Sequence, residues 1–243
     1  MKNWARWGIA AGGAAAIVAV VALRPVRSLP GAAASIGSSG PAAPPFDVPH
    51  NDAALTFDGE LAEPAWLHTA ARTGDFLDES GAKAIPFSEA RVMWQSDRLL
   101  VALYAADIDI ETKPDAGVAS GKEDVFEVTL RHDGRLYALT LGAGGERITT
   151  QCTADGWACK GGPLPWESGV EVGRDVDGTP NEPSDDDEEW VLEMAIPLRA
   201  IGAEPRVGER VEIRLRRCDF PRGAARACGT WSPGRTGAIT LKG

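Results

Sequence analysis

The chain has 243 residues, 44% of them hydrophobic, and a net charge of −10. That length suits one large domain or two small ones with a sizeable core. The acidic balance repels phosphate backbones and argues against a nucleic-acid partner, leaving neutral ligands, cations and divalent metals.

Residues 1–28, "MKNWARWGIAAGGAAAIVAVVALRPVRS", carry Lys2 and Arg6, an uncharged apolar run from Trp7 to Leu23, then Arg24 and Arg27. They read as a signal peptide or a membrane anchor. Small residues in "GAAAS" offer cleavage after Ala34, whereas the basic residues after the run favour retention, so both readings stand. Either one exports the protein to the periplasm, the cell surface or the medium. Residues 29–50, rich in Pro, Gly, Ala and Ser, read as a flexible linker, and 51–243 as the folded domain.

Within that domain period two dominates. "ARVMWQSD" and "RLLVALYAAD" form a hairpin signal with its turn at Ser96–Asp97, and "DVFEVTL", "HDG" and "RLYALTL" form a second. Phe126, Val128 and Leu130 share one face of the third strand; Val125, Glu127 and Thr129 share the other. "EWVLEMAIP" places Trp190, Leu192, Met194 and Ile196 on one side. "ERVEIRLRR" sets Val211, Ile213, Leu215 and Arg217 against Arg210, Glu212, Arg214 and Arg216, and "GAITL" closes the chain. Helical spacing is confined to short stretches such as "EPAWLHTAA" and "PLRAIG". The fold class is all-β, an antiparallel β-sandwich preceded by the hydrophobic segment and linker.

Four cysteines, Cys152, Cys159, Cys218 and Cys228, match no metal or redox spacing. In an oxidising compartment the simplest of their three connectivities is two local staples, Cys152–Cys159 and Cys218–Cys228. Arg217 on an apolar face needs a charged partner, and Glu127 is the partner expected, at the rim of the sandwich. That pair is either a structural brace or part of a hydrogen-bonding ring around a ligand. Trp66, Trp94 and Trp190 read as core. Trp157, Trp166 and Trp231 lie in stretches rich in Gly or Pro and read as exposed rings suited to a sugar's C–H face, or else as caps on the sandwich ends.

"TFDGELAEPAW", "ARVMWQSDRLLVALYAAD", "KEDVFEVTL", "EWVLEMAIPLRAIG" and "VGERVEIRLRR…TWSPG", in that order, resemble the successive motifs of carbohydrate-binding module family 9-like domains, a DOMON-like β-sandwich group, over residues 54–242. The resemblance implies a non-catalytic domain binding a mono- or oligosaccharide or the end of a polysaccharide, beside enzymes of polysaccharide catabolism. It puts Asp124, Glu127, Arg217 and Trp231 at motif positions; the stretch from Thr149 to Glu189 does not align with the family, so Trp157 and Trp166 stay stacking candidates from their Gly- and Pro-rich setting alone. It also implies calcium, held by Asp58 and Glu63, although the acid usual before Glu63 is Ala62 here.

Two alternatives remain. Related sandwiches hold haem, and Met93, Met194, Lys83 and His132 are available as ligands, though methionines on strands more simply pack in a core, so no haem is expected. A glycoside hydrolase needs two carboxylates flanking the bond, which no motif singles out, so no enzyme activity is expected. Asp175, Asp177 and Gly178 give only a partial calcium-loop spacing, read as solvated loop.

Overall fold

The computed structural model describes residues 45–112, 123–234 and 236–243. The segment read as signal or anchor, and the linker as far as residue 44, lie outside the described residues. In chain order the strands are β1 (Phe46–Val48), β2 (Ala71–Arg72), β3 (Ser88–Gln95), β4 (Arg98–Ala106), β5 (Val125–His132) and β6 (Arg135–Gly142). β7 (Arg147–Asp155), β8 (Ala158–Pro165), β9 (Glu171–Asp177), β10 (Glu189–Pro197), β11 (Arg210–Asp219), β12 (Ala227–Trp231) and β13 (Ala238–Leu241) follow.

They form two sheets. The larger runs β1-β13-β11-β5-β6-β7-β8, with β12 also paired to β11; the smaller runs β2-β3-β4-β10-β9. Pairings are antiparallel except β1 with β13. Alternation explains the larger sheet: Phe126, Val128 and Leu130 of β5 and Val211, Ile213 and Leu215 of β11 are buried between the sheets, while Glu127, Thr129, Arg214 and Arg216 face out. β10 departs from alternation because both its faces are covered. Trp190, Leu192, Met194 and Ile196 point into the sandwich, whereas Val191 and Ala195 join Leu61, Ala65, Trp66, Met93, Leu100 and Ala102 in a second cluster. A strand buried on both faces reads as a continuous apolar run.

"EPAWLHTAA" contributes only a single π-helical turn, Ala65–Thr69, and "PLRAIG" a 3-10 turn, Leu198–Ile201. Phe46–Val48, inside the stretch read as linker, is a strand, because its backbone has an open sheet edge at β13 to pair with. Residues 174–177, inside the acid-rich stretch read as solvated loop, belong to β9 and pair with β10.

Both local disulfides are formed. Cys152–Cys159 ties β7 to β8, and Cys218–Cys228 ties β11 to β12. Each short closed loop removes unfolded-state entropy worth about 2–3 kcal/mol.

Candidate functional site

Parity places Glu127. Its Cα partner across β5 and β11 is Arg216, and the next residue pair is Phe126 with Arg217. Side chains alternate between faces along a strand, so Glu127 and Arg216 point outward and Arg217 points into the sandwich. Arg216 Nη1 donates to Glu127 Oε2 at 3.1 Å and to Oε1 at 3.3 Å. The expected Glu127–Arg217 pair does not form, since the sheet itself lies between the two side chains.

Arg217 is 2% exposed and bridges the sheets from within. Its Nη2 donates to Asp107 Oδ2, just beyond β4, at 2.6 Å and to Asp219 Oδ1 at 2.8 Å. Asp124 is also fully buried, its two oxygens accepting the backbone N–H groups of Glu111 and Phe220. Oxygens of Asp107, Asp124 and Asp219 lie within 4.8 Å of one another, so three carboxylates compete for one guanidinium. Burial, then the Asp107 charge, pushes the Asp124 carboxyl up to about 8; burial raises Asp219 to about 6 against the opposing pull of Arg217. Three carboxylates this close can hold a cation, and toward Asp107 and Asp219 the guanidinium already fills that role. Arg217 and Asp124, both expected to touch a sugar, are out of solvent's reach.

The tryptophans separate in the same way. Trp166 is buried against Tyr137, ring centroids 5.0 Å apart, and its carbonyl accepts the Thr149 hydroxyl. Trp231 pairs with Leu215, faces inward and packs edge-on against Phe46 at 5.1 Å. Trp157 alone of the three stands over the outer face. It sits at the tip of the β7–β8 hairpin, in the turn between Asp155 and Ala158, beside the Cys152–Cys159 staple. The hairpin folds the indole across β5 and β11, with the Arg214 guanidinium 4.5 Å and that of Arg131 5.4 Å from the ring centre.

The neighbouring turn is shaped for this ring. Gly237 has φ +74, and a Cβ there would come within 2.8 Å of Trp157 Cζ2 and 3.0 Å of the Ile213 carbonyl. Only glycine lets the indole lie so close.

These groups enclose an open depression of about 480 Å³ lined by Glu127, Thr129, Trp157, Arg214, Arg216, Thr230 and Ser232. It offers an aromatic ring, two guanidinium groups, one carboxylate and three hydroxyls, which is the donor and acceptor mix that a polyhydroxylated ring needs. Among the described residues that line it, Glu127 is the one carboxylate. Arg214, Arg216, Thr129, Thr230 and Ser232 were not singled out from sequence, although the alternation already put Arg214, Arg216 and Thr129 on outward faces.

Of the residues implied for calcium, both Glu63 and Asp58 lie near enough to buried Glu193 for their charges to be felt there. Glu63 Oε1 accepts the Thr56 N–H at 3.0 Å, and Glu193 of β10, fully buried, accepts the Gly59 N–H through Oε2 at 2.7 Å. Their other oxygens, Glu63 Oε2 and Glu193 Oε1, are buried without hydrogen-bond partners. Burial foremost, then the charges of Glu63 and Asp58, raises the Glu193 carboxyl above its ordinary range. Orphaned buried carboxylate oxygens are costly unless a cation or proton satisfies them, although among the described residues the acids whose oxygens close to within 4.8 Å of one another are Asp107, Asp124 and Asp219 rather than Asp58, Glu63 and Glu193. The haem alternative finds no such convergence: Met93 and Met194 pack in separate clusters on opposite faces of the smaller sheet, Lys83 pairs with Asp75, and His132 with Glu209.

No family model and no curated protein matches the chain. Among solved structures it is similar to a carbohydrate-binding module family 9 domain from Caldicellulosiruptor kristjanssonii in complex with cellotriose, at 14% identity over 82% of this chain and 94% of that one, TM-score 0.55. The fold is that of a family 9-like module. It is likewise similar to a candidate carbohydrate-binding protein from Bacteroides uniformis, at 16% identity over 83% of this chain and 100% of that one, TM-score 0.57. A further family 9 structure from C. kristjanssonii, in complex with glucose, shares 13% identity over 81% of this chain and 96% of that one, TM-score 0.53.

Proposed function

We propose that the domain is an exported, non-catalytic carbohydrate-binding module whose ligand sits in the depression on the outer face of β5, β11 and β12. The observation that carries this reading is Trp157, held over that face by a stapled hairpin beside Glu127, Arg216 and the hydroxyls of Thr129, Thr230 and Ser232. A sugar ring would pack its C–H face on the indole and exchange hydrogen bonds with the Glu127–Arg216 pair. The family 9-like fold of structures solved with cellotriose and glucose supports the ligand class, and two disulfides suit an oxidising compartment.

Isothermal titration of the purified domain against a panel of mono- and oligosaccharides tests it. Binding that weakens at least roughly tenfold in Trp157→Ala, with the melting temperature held, is the expected result. A flat response to every saccharide, or binding indifferent to Trp157, removes the reading.

Calcium is a structural rather than a ligand-binding component in this proposal. Glu63, Glu193 and Asp58 would hold it beneath the opening turn, on the smaller sheet and away from the saccharide depression.

A further inference from the structure

The outer face of β5 and β11 carries three successive charged rows. Arg131 pairs with Glu212 at one end and Arg216 with Glu127 at the other. Between them stands Arg214, whose cross-strand partner is Thr129, a residue without charge. Among the described residues Arg214 meets no carboxylate; its contact is the Trp157 ring at 4.5 Å. Partial burial and the like charge of Arg131 both disfavour its cationic form. The middle row thus holds a partly buried guanidinium, with its donor fork unclaimed, at the floor of an open depression.

We propose that the saccharide recognised here is acidic, its carboxylate or sulfate group paired with Arg214 while its ring lies against Trp157. This rests on the saccharide-binding reading above and narrows it. A planar guanidinium fork matches a carboxylate or sulfate with two parallel N–H···O bonds. A neutral sugar has only hydroxyls to offer and would leave the charge uncompensated inside the contact. The flanking rows explain why the middle one is selective. Glu212 and Glu127 are already neutralised by Arg131 and Arg216, so an incoming anion meets one free cation and no free carboxylate on the described part of the floor.

The test is isothermal titration of the full chain, in parallel, with glucose and glucuronate, with their oligomers, with a sulfated glucose, and with inorganic sulfate. The acidic sugars should bind at least roughly tenfold more tightly than their neutral counterparts, the usual span of a charge-assisted bidentate contact. That preference should shrink as sodium chloride is raised. Arg214→Gln should erase it, so that acidic and neutral sugars then bind within about twofold of one another, well inside the roughly tenfold effect of a good contact. Arg214→Lys should restore part of it. The carboxylated and sulfated arms report which anion the fork prefers, and either preference supports the proposal.

Neutral and acidic sugars binding alike, with binding still lost in Trp157→Ala, would overturn the acidic preference and leave the saccharide reading intact. A preference that survives Arg214→Gln would also overturn it. Inorganic sulfate binding as tightly as the sulfated sugar would overturn it too, because the ring would then contribute nothing. Silence from every sugar would sink the underlying reading itself.

Discussion

The Trp157 indole rests 4.5 Å from the Arg214 guanidinium and the Gly156 carbonyl beside it accepts from Arg131 Nη1, so the tip of a hairpin at the far edge of the larger sheet is docked on its central strands. Nothing else in the tip resembles a core contact: Gly156 and Ala158 beside Trp157 are exposed. A cation–π contact at a partly exposed site contributes about 0.5–1 kcal/mol. Trp157→Ala should therefore lower the melting temperature by only a few degrees, roughly 2–4 °C per kcal/mol at this size, while losing most saccharide affinity. Differential scanning fluorimetry beside titration separates the two effects.

Gly237→Ala should reach the same site from the opposite side. Its added Cβ would overlap Trp157 Cζ2 and press on the Ile213 carbonyl, in a backbone conformation at φ +74 that side chains disfavour by about 1–2 kcal/mol. The expected outcome is a loss of saccharide affinity comparable to that of Trp157→Ala, with a modest fall in stability and an altered near-ultraviolet circular dichroism spectrum. Unchanged affinity would mean the ring has room to move, and so does not need its present seat.

The two arginines that are neighbours in sequence should behave in opposite ways. Arg216 and Glu127 form an outward pair, each about one-third exposed, and such pairs contribute roughly 0–1 kcal/mol. Arg217 is enclosed between Asp107 and Asp219, and removing it leaves buried carboxylates uncompensated at a cost of about 3–5 kcal/mol. Glu127→Gln should thus impair binding with little loss of stability, and Arg217→Met should destabilise strongly. Chemical denaturation of both variants checks the contrast.

That contrast also shows what the sequence carries and what it withholds. Alternation in "DVFEVTL" and "ERVEIRLRR" is visible without a structure, and it already assigns Arg217 inward and Glu127 outward. Strand register is not visible, so alternation alone could not choose Arg216 over Arg214 or Arg210 on the same outward face, and the expected pairing with Arg217 overlooked the face that alternation gives it. Asp107 lies 110 residues from Arg217 and on the other sheet, a distance no local pattern spans. Trp166 looked exposed because Pro and Gly surround it, yet the turn after β8 folds it onto Tyr137. β8 itself, "ACKGGPLP", is an exposed edge strand with no buried face, so hydrophobic periodicity had nothing to report.

The buried acids predict a pH dependence. Asp124 is raised to about 8 and Asp219 to about 6, both above the value of an unfolded aspartate. Between about pH 4 and 8 the native state therefore holds protons that the unfolded chain has released. Their contribution to stability is complete below pH 4 and is lost as pH rises, first through 6 for Asp219 and then through 8 for Asp124. Each contributes a slope of at most about 1.4 kcal/mol per pH unit within its own window. Asp124→Asn, which cannot titrate, should be less stable at acid pH, where it lacks the protonated carboxyl's fit, and should flatten the decline between pH 6 and 8. Thermal melts of both proteins across that range test this; parallel curves would mean Asp124 is ionised in the folded state.

Glu63 and Glu193 each turn one oxygen toward a backbone N–H and leave the other buried without a partner. Gly59 fixes the geometry, because its backbone lies so close to β9 that a Cβ would stand 2.2 Å from the Asp175 nitrogen. A calcium ion shared by these carboxylates would bind the folded state alone and stabilise it by mass action, about 2.7 kcal/mol at one hundred times the dissociation constant. The melting temperature should then rise by roughly 5–10 °C on adding calcium to chelator-treated protein. Magnesium should do less, because it demands a tighter octahedral shell. Glu193→Gln should abolish the calcium response while leaving saccharide binding intact, since the opening turn packs on the smaller sheet and the saccharide depression lies on the larger. A calcium response that persists in Glu193→Gln would move the ion elsewhere, with the Asp107, Asp124 and Asp219 cluster next to be tested.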